Sequence, residues 1–293
     1  MNRQAYFALP HVAQFIAWFA AELDSELRFK HEYVDRRSGM QWSCTSLFDA
    51  FDRYRWNHPG NARLALHPGQ SAMSNGLALT ALRADLQTIH GDDRRALEAA
   101  LDVMSWGGVS AGNANWLKAN KDGLAGLLEA VQTALDAGDE QAPALRTKHL
   151  RFNSGMTKVY SLICKNFVIY DSRVAAALGW LVVKYCESHG LSQVPQGLCF
   201  PWAAAKEAPN PDTPKRRNPS VGNLKFKSLR SGTHHALWNL RASWVLNAVL
   251  VHPSAKDSPF QSITIPNDPL RALEAALFMI GYDLGQKQKA FAA

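Results

Sequence analysis

Apolar residues recur three and four positions apart along most of the chain, the spacing that places them on one face of an α-helix. Over 11–29 that face is Val12, Phe15, Ile16, Phe19, Leu23 and Leu27, with Pro10 at the first helical position. The pattern returns over 46–55 and is then broken by His58, Pro59, Gly60, Pro68 and Gly69, which predict a loop. Ser74 or Asn75 stands where a cap opens a helix ending near Ile89. Two helices rich in alanine and leucine follow over 92–104 and 121–137, the second stopped by Gly138. Helical spacing also covers 157–163, 172–187, 236–251 and 270–284, the last opened by Asn267 or Asp268 and Pro269.

Two stretches depart from this pattern. Ser105-Trp106-Gly107-Gly108-Val109, followed by Asn113, Asn115 and Trp116, predicts a connection where backbone approaches a ligand closely; a helix end packed by aromatic rings is the alternative. The region 195–232 carries Pro195, Pro201, Pro209, Pro211, Pro214 and Pro219 and predicts a long loop, basic from about residue 205 to 232. Alternation of the β kind is confined to 261–265, enough for one small strand. There is no internal repeat and no heptad array, so the expected fold class is all-α, a cluster of about ten helices.

Composition adds a packed core and a charge preference. Hydrophobic residues make up 47% of the 293 and charged ones 19%, which excludes disorder over the whole chain. Thirty-two Lys and Arg against 25 Asp and Glu leave a net charge of +7, which favours a polyanionic partner. Cys44, Cys164, Cys186 and Cys199 are far apart and form no CxxC pair, so neither a metal site nor a disulfide framework is expected, and the thiols are expected to be reduced and buried. Arg3, Glu22, Asp24 and Glu26 interrupt the first 28 residues, leaving no apolar segment of signal or spanning length; no membrane association and residence in the cytoplasm are expected.

The chemistry concentrates in one stretch. Gly155-Met156-Thr157-Lys158-Val159-Tyr160-Ser161-Leu162-Ile163 leads through Lys165-Asn166-Phe167 to Val168-Ile169-Tyr170-Asp171-Ser172-Arg173-Val174-Ala175-Ala176-Ala177-Leu178. A carboxylate at a helix start, such as Asp171, can stabilise positive charge on a neighbouring group, or simply cap the helix. In its order the stretch resembles the core of the helix-hairpin-helix DNA glycosylase superfamily, in which a glycine-containing hairpin and a short helix precede an apolar run that ends in an aspartate and a second helix. The resemblance covers about 148–185 and lacks two of the superfamily's marks. Phe152-Asn153-Ser154-Gly155 stands where a Leu-Pro-Gly-Val-Gly hairpin is usual, and the C-terminal cysteine pattern of an iron–sulfur cluster is absent, so no cofactor is expected.

The resemblance implies a helix-hairpin-helix glycosylase-like bundle: one unit over 1–293, with an N-terminal helical lobe (1–145) and a hairpin and catalytic-aspartate lobe (146–293) around a DNA cleft. It implies an enzyme that excises a damaged or modified base from double-stranded DNA, such as modified bacteriophage DNA, leaving an abasic site with no obligate protein partner. Asp171 is then the catalytic carboxylate and Lys158, 13 positions earlier, the candidate amine of a Schiff base. The expected substrate contacts are Trp106, Gly107, Tyr170, His234, His235, Asn239 and Arg241, supplying aromatic faces and hydrogen bonds to a flipped base. The expected backbone contacts are Lys165, Arg173 and the basic loop residues Lys215, Arg216, Arg217, Lys225 and Lys227, with 31–37 and 53–63 also mixing basic and aromatic residues. The alternatives are a non-catalytic DNA-binding or adaptor protein that keeps this fold, and an unrelated helical partner-binding protein whose basic loop contacts an acidic protein or RNA.

Overall fold

Caps and glycines set the helix boundaries in the computed structural model, which describes residues 1–36, 38–207 and 214–285. α1 (Arg3–Phe7) leads into α2 (Pro10–Glu22), which starts at its proline and buries Val12, Phe15, Ile16 and Phe19. The helix expected over 11–29 stops at Glu22, because the Ser25 hydroxyl accepts from the Arg28 N–H and restarts the chain as α3 (Glu26–Phe29). Leu27, which belongs to the expected apolar face, is 95% exposed.

A hairpin follows that the sequence did not predict. β1 (His31–Val34) pairs antiparallel with β2 (Gln41–Cys44), His31 opposite Cys44 and Val34 opposite Gln41. Its alternation is real, with His31 and Tyr33 inward and Glu32 and Val34 outward, but it spans only four residues and uses a histidine as a core position. Tyr33 stacks between Trp42 and Tyr282, at centroid distances of 4.7 and 4.8 Å. The strand allowed at 261–265 does not form; Pro259–Ser262 is a short 3₁₀ helix instead.

α4 (Leu47–Asp52) is capped by Ser46, and α5 (Ala72–Leu86) by Ser71 rather than by Ser74 or Asn75, which places Asn75 inside the helix with its amide buried. α6 (Asp93–Trp106) ends at Gly107, and α7 (Ser110–Ala119) occupies part of what reads from the sequence as a connection. α8 (Leu124–Ala137) stops at Gly138, whose φ of 67° is left-handed. α9 (Pro143–Arg146), α10 (Met156–Ile163), α11 (Ser172–Ser188), α12 (Thr233–Val251) and α13 (Pro269–Ile280, capped by Asp268) complete the chain. The described residues are therefore mostly helical, with one small sheet, and no helix among them is long and apolar enough to cross a membrane. Cys44, Cys164 and Cys186 are buried free thiols, and Cys199 is half-buried.

The core is continuous from Tyr6 to Leu284. α10 is buried along all eight residues and packs on α5, α6 and α8, while α2 packs on α12 and α4 packs on α13. Elements from both ends of the chain thus share one set of contacts. The basic loop is held as well: Trp202 pairs with Ser228 in a parallel bridge, Phe200, Leu224 and Phe226 are buried, and the Leu284 N–H donates to the Arg216 carbonyl at 2.8 Å. Arg37, Pro209 and Pro211 lie outside the described residues.

α13 reaches the start of α11 only because Gly281 has no side chain: a Cβ there would sit 1.9 Å from the Arg173 carbonyl oxygen. Gly281→Ala should therefore lower unfolding stability by about 3 kcal/mol in urea titrations. Gly126, on the exposed side of α8, has nothing within 4 Å of such a Cβ. Gly126→Ala should leave stability unchanged or raise it by about 0.5–1 kcal/mol, because alanine suits a helix interior better than glycine.

Candidate active site

Between α10 and α11 the chain runs extended and buried through Phe167, Val168, Ile169 and Tyr170. Such a segment has neither helix nor sheet partners for its peptide groups, which must still be satisfied. Side chains meet the need. Ser243 Oγ accepts from the Val168 N–H at 3.1 Å, Glu274 Oε2 from the Ile169 N–H at 2.5 Å and Thr157 Oγ1 from the Tyr170 N–H at 3.0 Å. Asn239 Nδ2 donates to the Val168 carbonyl at 2.8 Å, and His235 Nε2 to the Tyr170 carbonyl at 2.7 Å. His235, Asn239 and Ser243 are spaced by four on α12, so one face of that helix supplies all three.

This segment delivers Asp171 to the N-cap of α11. Asp171 Oδ1 accepts from the Arg173 and Val174 N–H groups at 2.8 and 3.2 Å, and Oδ2 lies 3.6 Å from Lys158 Nζ. Lys158, on α10, also donates from Nζ to the Ser154 carbonyl at 2.9 Å. Its stem crosses Gly107, where a Cβ would stand 2.5 Å from Lys158 Cδ. Burial alone raises the Asp171 carboxyl, but the charges of Lys158, Arg173 and Arg217 outweigh it and hold the group below the usual carboxylate range. Burial lowers the Lys158 ammonium, against the opposing charges of Asp171 and Glu274. An ionised carboxylate thus faces an amine that gives up its proton more readily than a solvated lysine.

Both groups open onto a cavity of about 590 Å³. Trp56, Phe278 and Tyr282 form its aromatic wall, with Trp56 edge-on to Phe278 at 5.5 Å. Trp56 is braced from behind: its Nε1 donates to the Trp106 carbonyl at 2.9 Å, and Trp106 Nε1 donates to Asn75 Oδ1 at 3.0 Å. Among the charged groups of the lining the cations outnumber the acids, and they include Arg151, Arg173, Lys215 and Arg217. Among the described residues the acids of the lining are Asp171 and Glu274, and Glu274 is engaged by Arg271 at 2.5 Å. Among the described residues no group of three or more His, Cys, Asp or Glu side chains is placed to hold a metal ion.

Of the residues singled out from the sequence, Asp171, Lys158, Gly107, Trp106, Arg173, Lys215 and Arg217 line this cavity. Trp106 is buried, however, and the ring offered to the cavity is that of Trp56. Tyr170, His235 and Asn239, expected to contact substrate, lie in the core instead; the Tyr170 hydroxyl donates to the Pro201 carbonyl at 2.8 Å and the other two hold the extended segment. His234 accepts from the Arg230 N–H at 3.2 Å, and Arg241 is bidentate to Glu140 at 2.7 and 2.9 Å, so both are committed away from the cavity. Arg216 is tied through its N–H to Asp283, while Lys165, Lys225 and Lys227 are exposed and do not line the cavity. Trp56, Phe278, Tyr282 and the Arg271–Glu274 pair were missed. Trp56 does fall in the basic and aromatic stretch 53–63, and Arg271 and Glu274 are an opposite-charge pair three apart on an otherwise apolar helix, which is a legible sign of a buried ion pair.

Burial pushes the His235 imidazole down to about 4. Between the unfolded value near 6.5 and about 4, the unfolded chain binds a proton that the folded imidazole refuses, so stability must fall as pH drops through that window, by about 3 kcal/mol in all. His235→Gln retains a donor toward the Tyr170 carbonyl and should remove this part of the pH dependence in denaturant titrations from pH 7 to 4; parallel curves for the two proteins would contradict a neutral buried His235. No protein-family model matches this chain, and neither does any curated protein or solved structure.

Proposed function

We propose that the protein is a DNA glycosylase of helix-hairpin-helix type, acting in the cytoplasm on double-stranded DNA. It excises a damaged or modified base and leaves an abasic site. The observation that carries this is the Lys158–Asp171 pair, 3.6 Å apart, at the edge of an aromatic and cationic cavity. A plain helix cap needs one carboxylate oxygen; here Oδ1 accepts both cap hydrogen bonds and Oδ2 faces the amine.

Breaking an N-glycosidic bond builds positive charge on the sugar, which the buried Asp171 carboxylate stabilises. The bond's electron pair leaves with the base, and C1′ accepts either a water oxygen, whose proton passes to the base, or Lys158 Nζ after its ammonium has given a proton to the departing base. In the second case nitrogen loses its protons as the sugar ring opens to the Schiff base. Trp56 supplies a face on which an extruded base can stack, and the surplus of cations offsets the phosphates brought near it. A DNA-binding protein without chemistry is the rival, favoured by the capping hydrogen bonds of Asp171.

The test incubates the protein with duplexes carrying damaged or naturally modified bases, including modified phage genomes, and assays free base and abasic sites. The parent should release a base from at least one substrate. Asp171→Asn keeps a capping side chain and should retain DNA binding while slowing release by about 10² to 10³-fold. Borohydride should trap a covalent complex with the parent and not with Lys158→Gln if the amine attacks. Binding without release from any duplex would favour the rival.

A further inference from the structure

The cavity holds a second arrangement that base release does not require. Arg173, on the first turn of α11, places its guanidinium carbon 4.1 Å from the Phe278 ring centroid, 4.8 Å from that of Tyr282 and 5.7 Å from that of Trp56. Its charge is held by ring faces, and among the described residues no carboxylate or carbonyl accepts a hydrogen bond from its side chain. Contacts of that kind use the face of a guanidinium and leave its in-plane N–H fork unspent.

A second guanidinium stands beside it. Arg217 is 7% exposed and donates to the Ser172 hydroxyl and, at 3.4 Å, to the Tyr282 carbonyl, both neutral acceptors. Burial, and then the charge of Arg173, lower its pKa to about 10. The acids nearby are already engaged: Asp171 Oδ2 by Lys158 at 3.6 Å, and Glu207 by Lys215 at 3.5 Å. Two like charges are therefore gathered in one walled space where, among the described residues, the nearby Asp171 charge is shared with Lys158 and leaves a surplus of positive charge, an arrangement that costs stability in the free protein and is relieved by a bound anion.

We propose that Arg173, backed by Arg217, forms an oxyanion subsite in this cavity, which takes a carboxylate or phosphate carried by the ligand. A planar fork with free donors matches the two oxygens of such a group. The source of the anion rests on the glycosylase assignment, being either a charged substituent on the excised base or the phosphate next to the extruded nucleotide. The subsite itself does not.

Calorimetric titration of the full-length protein with inorganic phosphate, orotate (a uracil bearing a carboxylate) and uracil tests it without DNA or catalysis. Phosphate or orotate should bind the parent and should bind Arg173→Gln about tenfold or more weakly, since a charge-assisted bidentate contact is lost. Arg173→Lys keeps the charge and loses the fork, and should fall between the two, with thermal melts confirming that both variants fold. Uracil binding, if measurable, should not change. Orotate binding tighter than phosphate places the anion on the base; phosphate binding as tight as orotate or tighter places it on the backbone. Failure of both oxyanions to bind, or equal binding by the parent and Arg173→Gln, overturns the subsite. Base release without oxyanion binding would sink this proposal alone, and oxyanion binding without base release would sink only the enzymatic one.

Discussion

An extended stretch of chain through the middle of a helical protein leaves its peptide groups to be satisfied by something other than secondary structure, and each one left unpaired costs about 1–3 kcal/mol. Residues 167–170 are such a stretch, and three helices are committed to them. α12 gives His235, Asn239 and Ser243, α10 gives Thr157, and α13 gives Glu274. Thr157 also donates to Asn239, so the partners are themselves linked. Because the segment is fixed at successive peptide groups, Asp171 at its end has little freedom to move. The position of the carboxylate follows from this network more than from its own two cap hydrogen bonds.

The same network explains why charge can be gathered nearby. Glu274 is shared between the Ile169 N–H and Arg271, so a buried acid and a buried base pair without facing the cavity unpaired. Burial raises the Glu274 carboxyl all the same, while Arg271 opposes it. Lys158 is handled differently, with one carbonyl, one carboxylate and a glycine beneath its stem. Its lowered pKa is the cost of that burial, and it makes the amine easier to deprotonate than a solvated lysine. Aromatic rings finish the site, holding Arg173 by their faces and lining one wall of the cavity.

The basic loop shows how composition misleads when packing intervenes. Lys215, Arg216 and Arg217 read from the sequence as contacts to a phosphate backbone, yet Arg217 is buried and Lys215 sits over the Tyr282 ring. Phe200, Leu224 and Phe226 anchor the loop in the core, and the basic residues are carried inward with it. Lys206, Lys225, Lys227 and Arg230 keep the exposed position that the charge pattern implies.

By itself the sequence determined the helical character, most helix positions and the Lys158–Asp171 candidates, because the signals for these lie within a few residues: apolar spacing, proline at helix starts, glycine at helix ends and a carboxylate at a helix N-cap. A four-residue hairpin with a histidine in its core escaped, since so short a period is not distinguishable from chance. Tertiary structure alone decided which polar residues serve the cavity. His235 and Asn239 resemble base-reading groups in sequence and are spent on a backbone segment more than 60 residues away, while Trp56, Phe278 and Tyr282 meet from opposite ends of the chain. A side chain's role here depends on which buried peptide group or charge it meets, and that partner is chosen by the packing of helices far apart in sequence, which no local pattern encodes.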